Sequence, residues 1–147
     1  MSAIEFIAAG QIHSGPYYDL YQEYLKRIRW NVSLQEIKDQ NTEKTQTRIL
    51  EKITTGSYVI ALDEGGKNID SRAFSQDIAK LIEDREYKKI QFIIGGADGL
   101  NETIRQKAHQ VVSFGKLTWP HKLVRVMLIE QLYRAQQIYL GHPYHRD

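Results

Sequence analysis

The sequence predicts an α/β fold with a mainly parallel sheet and helices on both faces, and three observations carry that reading. Short β-type runs recur along the chain, longer stretches of helical periodicity alternate with them, and two of the runs are almost continuously apolar. Strands alternating with helices are what βαβ units produce. A strand apolar on both sides is what a parallel sheet between two helical layers requires.

The first run covers residues 4–9 and ends at Gly10. Pro16 suits the first turn of a helix, where its missing N–H leaves nothing unpaired, and Tyr17, Leu20, Tyr21, Tyr24 and Leu25 give that helix an apolar stripe as far as Arg27. A second run follows at 32–37, then a weaker helix over 42–53 with Ile49, Leu50 and Ile53 to bury. The two apolar runs, 58–62 and 90–94, are expected at the centre of the sheet. Between them Phe74, Ile78, Leu81 and Ile82 recur at helical spacing behind a cap at Asp70 or Ser71, which predicts a crossover helix over 71–85. A helix capped by Asn101 and a weak strand at 111–114 come next. The last helix starts at Pro120 and runs to about Leu140, where Gly141 and Pro143 stop it. Its stripe of Val124, Leu128, Leu132, Ala135 and Tyr139, widened by Leu123 and Met127, offers enough apolar surface for sheet contact and a subunit interface.

A length of 147 residues fits one domain spanning 1–147, and 41% hydrophobic with 26% charged residues is the composition of a folded chain with a packed core. The absence of cysteine excludes disulfides, thiolate metal sites and a cysteine nucleophile. No apolar run approaches the ~20 residues that span a bilayer, and no basic stretch precedes the first apolar one, so a cytoplasmic protein without a membrane segment is expected. Charge is uneven. Residues 1–100 carry 13 Lys/Arg against 15 Asp/Glu, whereas residues 101–147 carry 7 against 3 and hold His109, His121, His142 and His145. The C-terminal third is therefore the expected face for an anionic partner.

Three motifs carry possible chemistry. Ile94-Gly95-Gly96-Ala97-Asp98-Gly99 opens from a buried run into three glycines, the kind of carboxyl-end crevice where open α/β sheets bind ligands. It is not a dinucleotide fingerprint, because Ile94 stands where glycine is needed, and Gly65-Gly66-Lys67-Asn68 is not a phosphate-binding P-loop, because Ala61 and Asn68 break that pattern. The loop from Phe114 through Gly115, Lys116, Leu117, Thr118 and Trp119 to Pro120 offers a ring and a glycine that could wall a flat ligand. The tail from Gly141 to Asp147 concentrates His142, Tyr144, His145 and Arg146 where chain ends are usually small and polar. Two histidines without a thiolate or an evident carboxylate argue against a metal site.

Taken together, Leu62-Asp63, Ile94-Gly95-Gly96 with Gly99-Leu100, Thr118-Trp119-Pro120-His121, Leu123-Val124-Arg125-Val126, Glu130 through Ala135 and Pro143-Tyr144-His145-Arg146 resemble the RlmH family of SPOUT-class ribosomal RNA methyltransferases. The resemblance spans nearly the whole chain and is most specific over 58–147. It implies a SPOUT fold with a C-terminal trefoil knot, where strand and helix order alone would suggest an unknotted flavodoxin-like sheet. It also implies a homodimer that uses S-adenosylmethionine to methylate N3 of a pseudouridine in large-subunit ribosomal RNA within the assembled ribosome. The cofactor would contact Leu62, Gly95, Gly96, Phe114, Gly115, Lys116, Leu117, Thr118 and Trp119, and Gly95→Val would project a branched side chain where it approaches the backbone.

N3 of pseudouridine must lose a proton to attack a methyl group, so a base or a cation that stabilises the anionic ring is wanted. His145 is the first base candidate because imidazole titrates near neutrality, and Arg146 the first cation, with Arg134 and His121 behind them. Tyr144, His145 and Arg146 are expected to complete the partner subunit's site, because a helix of about 20 residues carries the tail ~30 Å from the loop at Pro120. Two other readings stay open: a non-catalytic ribosome- or RNA-binding factor with a flavodoxin-like fold, and a flavodoxin-like enzyme acting on a small molecule.

Overall fold

The structure is a computed structural model that describes residues 3–147. Its elements follow in the order β1 (Ala3–Ala9), α1 (Pro16–Arg27), β2 (Val32–Ile37), α2 (Thr42–Lys52), β3 (Ser57–Asn68), α3 (Ser71–Asp84), β4 (Lys89–Ile94), α4 (Glu102–Lys107), β5 (Gln110–Ser113) and α5 (His121–Tyr139). The five strands form one sheet ordered β2-β1-β4-β3-β5, with every pairing parallel. The expected α/β architecture is present.

Alternate residues of the inner strands feed two cores, as the two-residue repeat of a strand demands. Ile4, Phe6, Ala8, Ile60, Leu62, Ile90, Phe92 and Ile94 pack beneath α1, α3 and α5. Ile7, Ala9, Val59, Ala61 and Ile93 pack against α2 and α4. β3 and β4 are interior as expected, and β1 joins them: its Glu5, which breaks the apolar run, is buried where it accepts hydrogen bonds from Gln91 Nε2 at 2.8 Å and Gln35 Nε2 at 2.7 Å.

The helices begin where their caps dictate. Side-chain oxygens of Asn41, Asp70 and Asn101 each accept a backbone N–H three residues on, at 2.9, 2.8 and 2.9 Å, and Pro16 occupies the first turn of α1. The buried face of α5 is less apolar than its stripe suggests. Leu128, Leu132 and Ala135 are buried, but so are Arg125 and Gln136, while Tyr139 is 44% exposed. Gln136 Oε1 accepts the backbone N–H of Arg29 at 2.6 Å and ties α5 to the turn before β2.

At 12 residues, β3 is more than twice the length of the apolar run that announces it. After Leu62 the register breaks, and Lys67 and Asn68 pair with Val112 and Ser113 of β5. Gly66 makes this possible: a Cβ there would lie 2.8 Å from the backbone of Val111 and Val112. β3 thus continues across β5 before the chain turns into α3, and this extension forms one side of the site.

Candidate active site

The carboxyl ends of β3, β4 and β5, with the loop leading into α5, enclose a cleft of about 960 Å³. Leu62, Gly95, Gly96, Phe114, Gly115, Leu117, Thr118 and Trp119 line it, so all the candidate cofactor residues except Lys116 meet in one place. Asp63, Glu64, Asp98, Arg105 and His121 share the lining. Of these, Glu64 and Arg105 escape sequence reasoning, Glu64 because it sits in a polar tract that reads as a turn and Arg105 because it sits in a short helix.

The two principal walls are built differently. On the β4 side, Gly99 N–H donates to Gly96 O at 3.0 Å, closing a tight turn. A Cβ on Gly95 would meet Gly99 O at 2.7 Å and Leu100 Cδ2 at 3.0 Å. The glycine at 95 therefore serves the turn itself, which revises the expectation that a side chain there would simply project toward the ligand. α2 grips this turn from behind: Thr42 Oγ1 donates to Asp98 Oδ2 at 2.6 Å, Gln46 Nε2 to Gly99 O at 2.9 Å, and Asn101 N–H to Gln46 Oε1 at 2.9 Å.

On the β5 side the loop stands more freely. Gly115 has φ of +119°, which favours glycine, and a Cβ there would meet nothing within 4 Å. Ser113 Oγ donates to Gly115 O at 2.7 Å, and Thr118 Oγ1 donates to Glu64 Oε2 at 2.9 Å, linking this loop to the β3 extension. Leu117 is 70% exposed and Trp119 38% exposed, an unusual outlay of apolar surface at the rim of a cleft.

The candidate catalytic residues of the tail cluster with one another and not in this cleft. Beyond α5 the chain folds back along the helix. Tyr144 Oη donates to Glu130 Oε1 at 3.1 Å, Arg134 Nη2 donates to the same oxygen at 2.6 Å, and His145 Nδ1 lies 3.1 Å from Arg134 Nη1. The Arg134 guanidinium lies 4.8 Å from the Tyr144 ring centroid. Burial, the Tyr24 hydroxyl and the Glu130 carboxylate push the Tyr144 phenol well above its ordinary range, so it stays protonated and donates. Asp147 closes the clasp, accepting from Arg72 Nε at 2.7 Å and lying 2.9 Å from His145 Nε2. Arg146 is exposed. The tail is therefore anchored midway along its own α5, nearer the helix start than an outward-running tail would be, while no tail residue lines its own chain's cleft.

His121 does line the cleft, at the first turn of α5. Its ring packs on Gly10, where a Cβ would lie 3.3 Å from Nε2. Burial lowers its pKa despite the attraction of Asp39, and the Lys122 and Arg125 charges push the same way, so the imidazole is held neutral. Beneath it Arg125, fully buried, donates to Glu36 Oε2 at 2.6 Å and to Gly10 O at 3.0 Å. Among the described residues no group of three or more ligating side chains could hold a metal, and no helix is long and apolar enough to cross a membrane.

A family model described as "Predicted SPOUT methyltransferase" matches residues 2–145. A relative from Rhodospirillum centenum, called ribosomal RNA large subunit methyltransferase H, is 41% identical over 146 residues, with 95% of each chain covered. A relative of the same name from Rhizorhabdus wittichii is 39% identical, with 98% of each chain covered. Among solved structures, a probable methylase family protein from Haemophilus influenzae matches 99% of this chain and 71% of its own with a TM-score of 0.60 at 11% identity. A probable methyltransferase from Bordetella pertussis matches 91% of this chain and 96% of its own with a TM-score of 0.57 at 13% identity, and at such identities the likeness speaks for the fold alone. The matched span, the high coverage of both relatives and the shared fold agree: the chain belongs to the SPOUT methyltransferase family.

Proposed function

We propose that this chain is an S-adenosylmethionine-dependent methyltransferase that modifies N3 of a pseudouridine in large-subunit ribosomal RNA within the assembled ribosome, working as a cytoplasmic homodimer. The observation that carries the reading is the convergence of the glycine turn, Leu62 and the Phe114–Trp119 segment on one cleft, in a chain whose relatives bear the name ribosomal RNA large subunit methyltransferase H.

The cleft fits the cofactor. Leu62, Ile94, Leu117 and Trp119 offer apolar walls for adenine, the backbone of the two glycine loops offers donors and acceptors, and Asp63, Glu64 and Asp98 suit the hydroxyls and positive charges of an aminoacyl sulfonium. When bound, the cofactor supplies an electrophilic methyl group. The protein's part is to exclude water, hold the acceptor ring in line, and take or offset the proton at N3. In this reading His145 and Arg146 act on that ring from the partner subunit and Tyr144 fixes the tail; Arg134 Nη1 lies 3.1 Å from His145 Nδ1. His121, kept neutral at the mouth of the cleft, is the second base candidate.

Two further features belong to this reading. The β3 extension crossing β5, and the loop passing it on the way into α5, support the trefoil knot implied by the family resemblance. The dimer is supported by exposed Tyr17, Tyr18 and Leu20 on α1, beside a groove of about 590 Å³ that Leu20 lines with Tyr24, Phe114, Leu123 and Met127. With the tail held at Glu130 and Arg134, away from its own cleft, a partner subunit's cleft is its natural destination.

Transfer of a labelled methyl group to purified ribosomes, with little transfer to naked RNA, is the expected result, since one small domain must borrow recognition from a shaped surface. Cofactor binding without transfer to any ribosomal substrate would contradict the reading and favour a non-catalytic binding factor. Mixing Gly95→Val chains with chains carrying His145→Ala and Arg146→Ala tests the trans arrangement: activity should return in the heterodimer, and a heterodimer that forms but stays inactive removes it.

A further inference from the structure

The cations of this chain divide into those already spent and those left free. The C-terminal third holds the net positive charge, yet three of its arginines are occupied: Arg105 with Glu102 at 2.9 Å, Arg125 with Glu36 at 2.6 Å and Arg134 with Glu130 at 2.6 Å. A row of cations without ion pairs stands elsewhere, on α2. Lys44, Arg48 and Lys52 stand at i, i+4 and i+8 on α2, all exposed, while Thr45, Gln46 and Ile49 of the same helix are buried against the fold. Lys38, just past β2, lies in the same groove of about 760 Å³.

Among the described residues no ion pair engages any of these four side chains. Glu43 and Glu51 share the groove and temper its charge, whereas Glu36, its third carboxylate, is taken by Arg125. Four free cations thus face two free carboxylates. Successive cations of the row are about 6 Å apart along the helix axis, so a strand lying along it meets a cation at intervals of roughly one to two nucleotides, given the spacing of backbone phosphates. The row is continuous with the candidate site, because the first turns of α2 grip the glycine turn through Thr42 and Gln46.

We propose that the outer face of α2 is a track for the phosphate backbone of the RNA whose target base is presented to the cleft. This rests on the reading of the chain as a ribosomal RNA methyltransferase. The contacts are to phosphate and so position the substrate without reading its sequence.

The test uses the full chain and purified ribosomes, comparing wild type with the triple variant Lys44→Ala, Arg48→Ala, Lys52→Ala and with a control pair, Lys80→Ala and Lys26→Ala, on exposed positions of α3 and α1, which pack on the other core from α2. For the triple variant the expected result is a KM for ribosomes raised about tenfold or more, and a slope of log affinity against log salt smaller by roughly two to three. Its kcat should stay within about twofold and its cofactor affinity should match wild type, which also shows that it folds. Glu43→Gln with Glu51→Gln should move KM the opposite way. A triple variant with unchanged slope, or a control pair that loses as much slope, overturns the track. Wild-type protein that leaves ribosomal RNA unmethylated overturns instead the reading beneath it.

Discussion

The two loops that face each other across the cleft are held by opposite means. The turn from Gly95 to Gly99 is packed so closely that a single Cβ at Gly95 has no room, and α2 clamps it with three hydrogen bonds. The loop from Phe114 to Trp119 has open space around Gly115, exposes Leu117 and Trp119, and is tied across to β3 by one side-chain hydrogen bond from Thr118. One wall is closely packed and the other is more exposed. A site built this way has a packed floor to define its geometry and exposed apolar side chains at its rim that a ligand can bury.

The largest expected effect comes from breaking the rigid wall. Gly95→Val must displace Gly99 and Leu100, so cofactor affinity should fall more than about a hundredfold, and overpacking of ~1–3 kcal/mol should lower Tm by several degrees. Calorimetry and a thermal melt check both, and unchanged affinity would take Gly95 out of the site. Breaking the exposed wall should separate binding from stability. Trp119→Ala removes an exposed ring, so affinity should fall about tenfold, or ~1.4 kcal/mol, with Tm nearly unchanged. A drop in Tm like that of Gly95→Val would mean that the two walls are equally structural.

Thr118→Val should cost less, about two- to fivefold in affinity, because one partly exposed hydrogen bond is worth ~0.5–1 kcal/mol. The smallest effect concerns pH. Since folding lowers the His121 pKa, the neutral ring's contribution to stability is complete above the ordinary imidazole value and is lost as pH falls through the lowered one. His121→Gln should therefore flatten the loss of Tm on acidification below about pH 6.5, the ordinary imidazole value, and an unaltered Tm–pH curve would remove that role.

The same contrast explains what was legible in the sequence. Apolar runs at 58–62 and 90–94, side-chain caps at Asp70 and Asn101, and glycines before Leu100 report local causes, and the elements they announce are present. The extension of β3 was not legible, since Glu64-Gly65-Gly66-Lys67 has the composition of a turn and becomes strand only because β5 lies alongside it, 45 residues later at Gly66 against Val111. Nor could net charge along the chain locate the free cations. After residue 100 three of the seven Lys/Arg are paired, with Glu102, Glu36 and Glu130, one of them brought from β2 by the fold, whereas the row on α2 belongs to a region with more acids than bases. The residues that line the cleft were legible as motifs, but the clasp of Tyr144 and Arg134 on Glu130, with His145 on Arg134, depends on a tail that reverses direction, which no periodicity reports.

Mass spectrometry of large-subunit ribosomal RNA from cells with the gene, without it, and with the gene carrying Gly95→Val tests the central claim most directly. One pseudouridine should carry an added methyl group on its base only in the first case, with the mark lost in both others. An identical methylation pattern in all three would contradict the account.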